Sequence, residues 1–386
     1  MATDPIPHFS IIQTGLFEKL LQKTAWFTGR KRADLRKIIF LLALTYLPLL
    51  ILTLMEGLML GEKVEVPFFY EPAVHIRLLI ALPMLILSEK YVDQRIQAII
   101  LQFRKNGMIP ESKLKNFDQL LHHFELLAKK KRFEIIILVI IVVNLVLRWT
   151  LNTFDVTSWM FPLAEKKASL SLAGYWAMLV SYPIVQFLIL RWLWRWVLWV
   201  RVIFALSKIG LRIYPSHPDK AGGLAFLGES PLVFGSVTLV LGVIFASMLI
   251  ERTLFLEYTL EQQIPLLVSF LVLSLIINIM PLIFFSGIMR TERLKAIHEY
   301  NTIGAWMERD FEDRYIFQTQ SNSKISVPEG YMAGTSYQRV KDMKIVPFDL
   351  RSMVASVVIT VIPLLGLLLF YIPFMDVVDF LMGLLL

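Results

Sequence analysis

Residues 38–60 read IIFLLALTYLPLLILTLMEGLML. No charge interrupts the run before Glu56, and its length matches the roughly 20 apolar residues a helix needs to cross a bilayer. A helix on the surface of a soluble domain would carry a polar face; this one is apolar all round. The same signature recurs at 75–97, 133–152, 170–195, 232–254, 264–289 and 351–374. The second of these is the least pure. Its apolar part, Leu78–Leu87, is short and runs into Ser88, Glu89 and Lys90, but without it two basic segments would fall on opposite sides. With 56% hydrophobic residues over 386 positions, the chain exceeds what soluble domains carry. The fold class is therefore all-α: a polytopic integral membrane protein of about seven transmembrane helices.

Charge sets the expected orientation. Lys19, Lys23, Arg30, Lys31 and Arg32 precede the first span, Lys129, Lys130, Lys131 and Arg132 the third, and Arg290, Arg293 and Lys295 follow the sixth. The alternate loops carry Glu62, Glu65 and Glu71, then Asp155 and Glu165, then Glu251, Glu257 and Glu261. Lys and Arg concentrate on the cytoplasmic side, so the N-terminus is expected inside and the C-terminus outside. The chain then divides into a cytoplasmic amphipathic segment (1–37), a six-span region (38–289), a cytoplasmic helix and loop (290–350), and a seventh span with a short external tail (351–386). Within the six-span region lie a cytoplasmic helical hairpin (98–132) and a loop (209–231). The net charge of +8 is thus a matter of membrane topology, and no nucleic-acid partner is expected. The first 37 residues lack an apolar core ending in an A-x-A-like site, so the first span is expected to serve as both target signal and anchor.

Helical extensions are expected on the cytoplasmic side. No Pro or Gly falls between Ser112 and Leu151, and Phe117, Leu120, Leu121, Phe124 and Leu127 recur at helical spacing. The sixth span should continue through RTERLKAIHEY and pack on residues 113–132, while 319–348, rich in Ser, Asn, Gly and Gln, reads as an irregular loop or small hairpin. The segment from Phe9, FSIIQTGLFEKLLQKTAWF, suits a helix lying at the inner surface.

Candidates for chemistry are few. Arg191 and Arg195 stand amid Trp192, Trp194, Trp196 and Trp199, which reads as an interfacial belt; with Arg201 they form a candidate contact for anionic lipid. Asn144, Asn278 and Gln186 fit either helix-to-helix hydrogen bonds or a weakly polar path. Pro48, Pro83, Pro183, Pro281 and Pro363 fall inside spans and free backbone carbonyls there. His122, His123 and His298 with nearby carboxylates show no metal or hydrolytic spacing, and no nucleotide fingerprint or cofactor motif occurs, so neither metal nor cofactor is expected. With no cysteine, thiolate chemistry is excluded.

The conspicuous polar stretch is Tyr214–Pro231, YPSHPDKAGGLAFLGESP. Successive N–H groups at a Gly pair can converge on an anion, and a neighbouring Lys adds charge. His217, Asp219, Lys220, Gly222 and Gly223 are thus a candidate ligand site, with a tight turn as the competing reading. The phrase HPDKAGGLAFLG resembles a cytoplasmic loop in a family of bacterial polytopic membrane proteins without an assigned activity. That likeness implies a multi-pass protein of the bacterial inner membrane and marks the same five residues, but names no ligand. The expected function is a channel or transporter-like protein whose loop responds to a small anion or anionic lipid. The alternatives are a membrane-embedded enzyme acting on a lipid or isoprenoid substrate, and a scaffold. A homo-oligomer is compatible with all three.

Overall fold

In the computed structural model, residues 9–12, 33–60, 63–150, 157–162, 170–317 and 327–371 are described. Proline decides where the long apolar helices bend. Helix α1 (Ala33–Glu56) is interrupted at Tyr46, just before Pro48. Helix α2 (Pro72–Lys105) opens into a wide turn over Ile76–Ala81, where the Leu82 N–H reaches back five residues to the Arg77 carbonyl; Pro83 follows. Helices α3 (Leu114–Ala128) and α4 (Lys131–Thr150) come next. Helix α5 (Leu172–Lys208) repeats the wide turn over Ala177–Ser181, before Pro183. Helices α6 (Gly235–Leu256) and α7 (Leu260–Ile283) form a hairpin, and α7 ends two residues after Pro281. Helices α8 (Ser286–Phe311), α9 (Val327–Asp342) and α10 (Leu350–Tyr371) complete the described chain.

A proline leaves the carbonyl four residues back without its N–H, and hydrocarbon offers no water to replace it. Two of these carbonyls are taken by tryptophans. Trp176 Nε1 donates to Leu44 O and Trp196 Nε1 to Ile277 O, each at 3.1 Å, four residues before Pro48 and Pro281 respectively. Ser181 Oγ closes the break in α1 by donating to Thr45 O at 2.7 Å. Trp192 donates to Leu85 O at 3.1 Å, and both Trp192 and Trp199 are buried. The expected interfacial belt is thus corrected: Trp192 and Trp199 lie buried in the bundle, and Trp196 satisfies a carbonyl that Pro281 would otherwise leave orphaned.

Loop contacts fix the threading. On one side, the Arg212 N–H donates to Met108 O, and the Lys344 N–H to Lys220 O. On the other, the Val66 N–H donates to Thr157 O, Trp159 Nε1 to the Glu71 carboxylate, and Glu56 accepts from the Leu172 and Ala173 N–H groups. Helix α4 must therefore traverse from the side of Met108 to the side of Thr157. Its faces agree: Glu134, Ile137 and Ile141 form one buried stripe, while Ile135, Leu138, Val139, Val142 and Val146 are exposed apolar groups suited to lipid. Six further helices are long and apolar enough to cross: α1, α2, α5, the segment Ala225–Leu256 containing α6, α7, and α10. The protein is an all-α polytopic membrane protein, and among the described residues its only strand-like pairing is the bridge between Val66 and Ser158.

Four expectations need correction. The helix from Ser112 to Leu151 is not continuous but breaks at Lys129–Lys130, because α3 lies along the surface with Phe117, Leu121 and Phe124 buried while α4 turns into the membrane. Helix α3 packs on α5 rather than on the continuation of the sixth span. That continuation, α8, is separated from α7 at Phe284–Phe285 and pairs with α9, through Arg293 Nη2 to Lys341 O at 2.6 Å and Tyr337 OH to Asn301 Oδ1 at 2.5 Å. Residues 327–342 are thus helical; Pro328 in the first turn is a helix-start signal that the Gly and Ser content masked. Finally, Phe9–Ile12 is not a surface helix. It is non-helical and buried, with Ser10 Oγ donating to Asp93 Oδ1 at 2.6 Å. The rest of that amphipathic segment, and the tail with Asp376 and Asp379, lie outside the described residues.

Candidate functional site

The loop after α5 holds its five candidate residues together. Pro215 and Pro218 prevent the helix from continuing, and Lys220, Gly222 and Gly223 take left-handed backbone conformations (φ 55°, 66° and 93°). Only glycine fits at 222 and 223, where a Cβ would press on Ile213 and Met343, or on Met108 Sδ. The turn does bind an anion, but the anion is its own. Asp219 Oδ1 accepts from the Ala221 and Gly223 N–H groups at 2.9 and 3.1 Å, and Oδ2 from the Ala225 N–H at 3.1 Å. His217 Nδ1 lies 2.9 Å from the same carboxylate. Partial burial pushes the Asp219 pKa up, but the three backbone donors and His217 outweigh it and hold the carboxyl below its ordinary range. Lys220 Nζ is 3.5 Å from Asp342 Oδ2. The backbone donors that a nest would offer a ligand are consumed internally, and the loop staples segments at one end of the bundle, tying Arg212 to Met108 and Lys220 to Lys344.

The three arginines do not form one lipid contact. Arg191 and Arg195 are buried (4% and 2% exposed) and converge on Glu89 Oε1 at 3.5 and 2.9 Å. Arg201 is exposed, because six residues beyond Arg195 places it about 120° around α5. Lys37 of α1 is buried beside Glu89 and acts on it electrostatically. Asp93 of α2 and Glu134 of α4 are buried as well. Three cations and three carboxylates, drawn from α1, α2, α4 and α5, thus lie buried together near the end of the bundle that carries Lys37 and Glu134. Buried charge is tolerable only when compensated in this way. Arg195 Nη2 also donates to Ile12 O at 2.5 Å, so the N-terminal segment is tied into the network. The void left there, between Glu134, Ile137, Arg191 and Arg195, holds about 10 Å³, room for about one water.

Along the same seam of α4 and α5, further from that charged end, the packing opens into a cavity of about 270 Å³. Its walls are mostly apolar, including Ile141, Leu145, Met178, Val185, Leu190 and Ile244. Four polar side chains face it: Arg77, Asn144, Tyr182 and Gln186. Arg77 belongs to the wide turn of α2, and Met178 to that of α5; such π-type turns recur at functional sites. The Arg77 guanidinium is 4.0 Å from Glu251 and 5.9 Å from the centre of the Tyr182 ring. Among the described residues, neither the Asn144 nor the Gln186 carboxamide has a hydrogen-bond partner. By contrast, Asn278, read from sequence in the same class, donates to Ser274 O at 2.9 Å and pairs with Thr238 at 3.4 Å between α6 and α7.

At the opposite end of the bundle, Glu71 is buried and accepts from the Trp159 indole. Burial, then the charge of Glu251, push its pKa to about 7 against the opposing effects of Trp159 and Arg77. His122, His123 and His298 are exposed, and no three metal-ligating side chains come together among the described residues.

No family model, curated protein or solved structure matches the chain. Sequence reading picked out Asn144 and Gln186 but missed Arg77, whose place beside them depends on how α2 packs against α5. It also missed Glu71 and Glu89, which hydropathy counts only as interruptions at the ends of a span.

Proposed function

We propose that this is a transport-type protein of the bacterial cytoplasmic membrane, with its N-terminus inside. Its substrate site is the cavity between α2, α4, α5 and α6, closed toward the cytoplasm by the Glu89 network. The observation that supports this reading is the stacking of the two along one seam. Asn144 lies seven residues, about 10 Å of helix, from Ile137 in the closed recess. A polar site bounded on one side by a compensated ionic closure is the arrangement that alternating access requires, and the prolines and wide turns beside it supply places where α2 and α5 can bend. The loop at Asp219 takes an architectural role, holding together the base against which such movement occurs.

The chain has no cysteine, so single ones report sidedness cleanly. Glu257→Cys should react with an impermeant thiol reagent from outside, and His122→Cys only from the cytoplasmic side. Gln186→Cys should react from outside and be protected from inside. Adding Glu89→Gln should expose it from inside too. If Gln186→Cys is inert from both aqueous sides with Glu89 intact and with Glu89→Gln, passage through the cavity is refuted.

A further inference from the structure

The walls of the cavity describe what it holds. We propose that it takes a single-chain amphiphile with an anionic oxygen head group, carboxylate or phosphate. The head sits among Arg77, Asn144, Tyr182 and Gln186, and the chain lies along α4 and α5. The proposal deepens the transport reading by naming the substrate class of the same site.

Three observations carry it. First, the polar groups are gathered on one part of an otherwise apolar wall, which suits a molecule that is itself divided. A small hydrophilic solute would leave Ile141, Leu145, Leu190 and Ile244 facing nothing it could desolvate favourably. A pure hydrocarbon would bury two carboxamides without partners, at a cost of about 1–3 kcal/mol each. Second, the donors suit oxygen acceptors. The two carboxamides offer N–H groups with no competing partner among the described residues, and the guanidinium stands 4.0 Å from Glu251 and 5.9 Å from the centre of the Tyr182 ring, each beyond ordinary hydrogen-bond length. Because Glu251 already offsets part of the Arg77 charge, directional hydrogen bonds rather than net charge hold the head group. Third, the site is one helix deep from lipid. Helix α4 gives the cavity Ile141, Asn144 and Leu145, while its remaining faces carry exposed apolar side chains such as Val139, Val142 and Val146. An amphiphile already in the bilayer reaches the site by passing beside α4, without crossing water.

The test uses the full-length protein in detergent and a palmitate bearing a photoreactive diazirine midway along its chain. Illumination should place adducts on peptides containing Ile141–Leu145 and Val185–Leu190. Unlabelled palmitate or a single-chain phosphate lipid should compete, and butyrate and inorganic phosphate should not. Asn144→Leu with Gln186→Leu should weaken labelling by at least about tenfold, two lost hydrogen bonds of ordinary strength, at an unchanged or raised melting temperature. Equal competition by monopalmitin, a neutral head group on the same chain, would overturn the anionic assignment. Equal competition by butyrate or inorganic phosphate would overturn the amphiphile. Adducts spread over the lipid-facing side of α4 and unchanged in the double variant would overturn the site. Photolabelling reads binding without transport, so its failure leaves the sidedness result for Gln186→Cys standing, and the converse also holds.

Discussion

Two polar regions of the molecule, one contiguous in sequence and one assembled from separate helices, differ in how their polar groups are used. The loop Tyr214–Pro231 gathers His217, Asp219, Lys220 and a glycine pair, and nearly every polar group in it is used. The Asp219 carboxylate takes three backbone N–H groups, Lys220 faces Asp342, and the glycines accept close contact with Met108 and Ile213. The four polar side chains of the cavity are scattered over 110 positions from Arg77 to Gln186, and two of them use none of their hydrogen-bonding capacity among the described residues. Polarity already satisfied from within builds the fold; polarity left unsatisfied beside space is free to bind.

The sharpest break of that contrast lies in the ionic closure, where satisfied charge is most deeply buried. Glu89→Ala leaves Arg191 and Arg195 without their shared carboxylate, and removing one partner of a buried pair typically costs about 3–5 kcal/mol. Thermal unfolding in detergent should show a larger loss for this variant than for Asp219→Ala or Glu71→Gln. A wild-type melting temperature would mean that water, not Glu89, solvates the arginines.

Asp219→Ala should follow, at about 2–3 kcal/mol, because it strands backbone donors that the loop cannot turn toward water. The pH dependence has a definite sign. The folded pKa of Asp219 lies below its ordinary value, so its contribution is complete above about pH 4 and fades as pH falls through the lowered value. Asp219→Asn should flatten that acid limb of stability, and an unaltered limb would assign the acid sensitivity to other carboxylates.

Glu71 should show the opposite sign and a smaller effect. Its folded pKa is raised to about 7, so the stabilisation belongs to the protonated form, is full below the ordinary carboxylate range and is lost as pH rises through about 7. Wild type should melt at a lower temperature at pH 8 than at pH 6, and Glu71→Gln, which keeps an acceptor for Trp159, should remove most of that difference. A persistent slope in Glu71→Gln would assign the pH dependence to other groups.

What the sequence disclosed follows the same division. Apolar runs of membrane length were enough for the all-α fold and its long helices, six of which are apolar enough to cross a membrane, because hydropathy is a local property of the chain. The loop at Asp219 was visible as a motif, but whether its donors were free depended on where one carboxylate turned. Arg191 and Arg195 read as interfacial because Glu89, the residue that draws them inward, is 102 positions from Arg191. Trp176 and Trp196 satisfy carbonyls left open by prolines on other helices, and no local pattern connects an indole to a proline so far away. Residues 327–342 were hidden by glycines that a helix packed on α8 can accommodate. In each case the missing information was a partner distant in sequence.

The most direct measurement sets the two regions side by side. Unfolding of Asp219→Ala should be compared, under one set of conditions, with that of the double variant Asn144→Leu with Gln186→Leu. Leucine is close in size to both amides and removes polar groups that have no partner among the described residues. The melting temperature should drop clearly for Asp219→Ala and stay unchanged or rise for the double variant. If the double variant falls as far as Asp219→Ala, the two carboxamides hold the helices together and are not free to bind; the cavity is then packing, not a site.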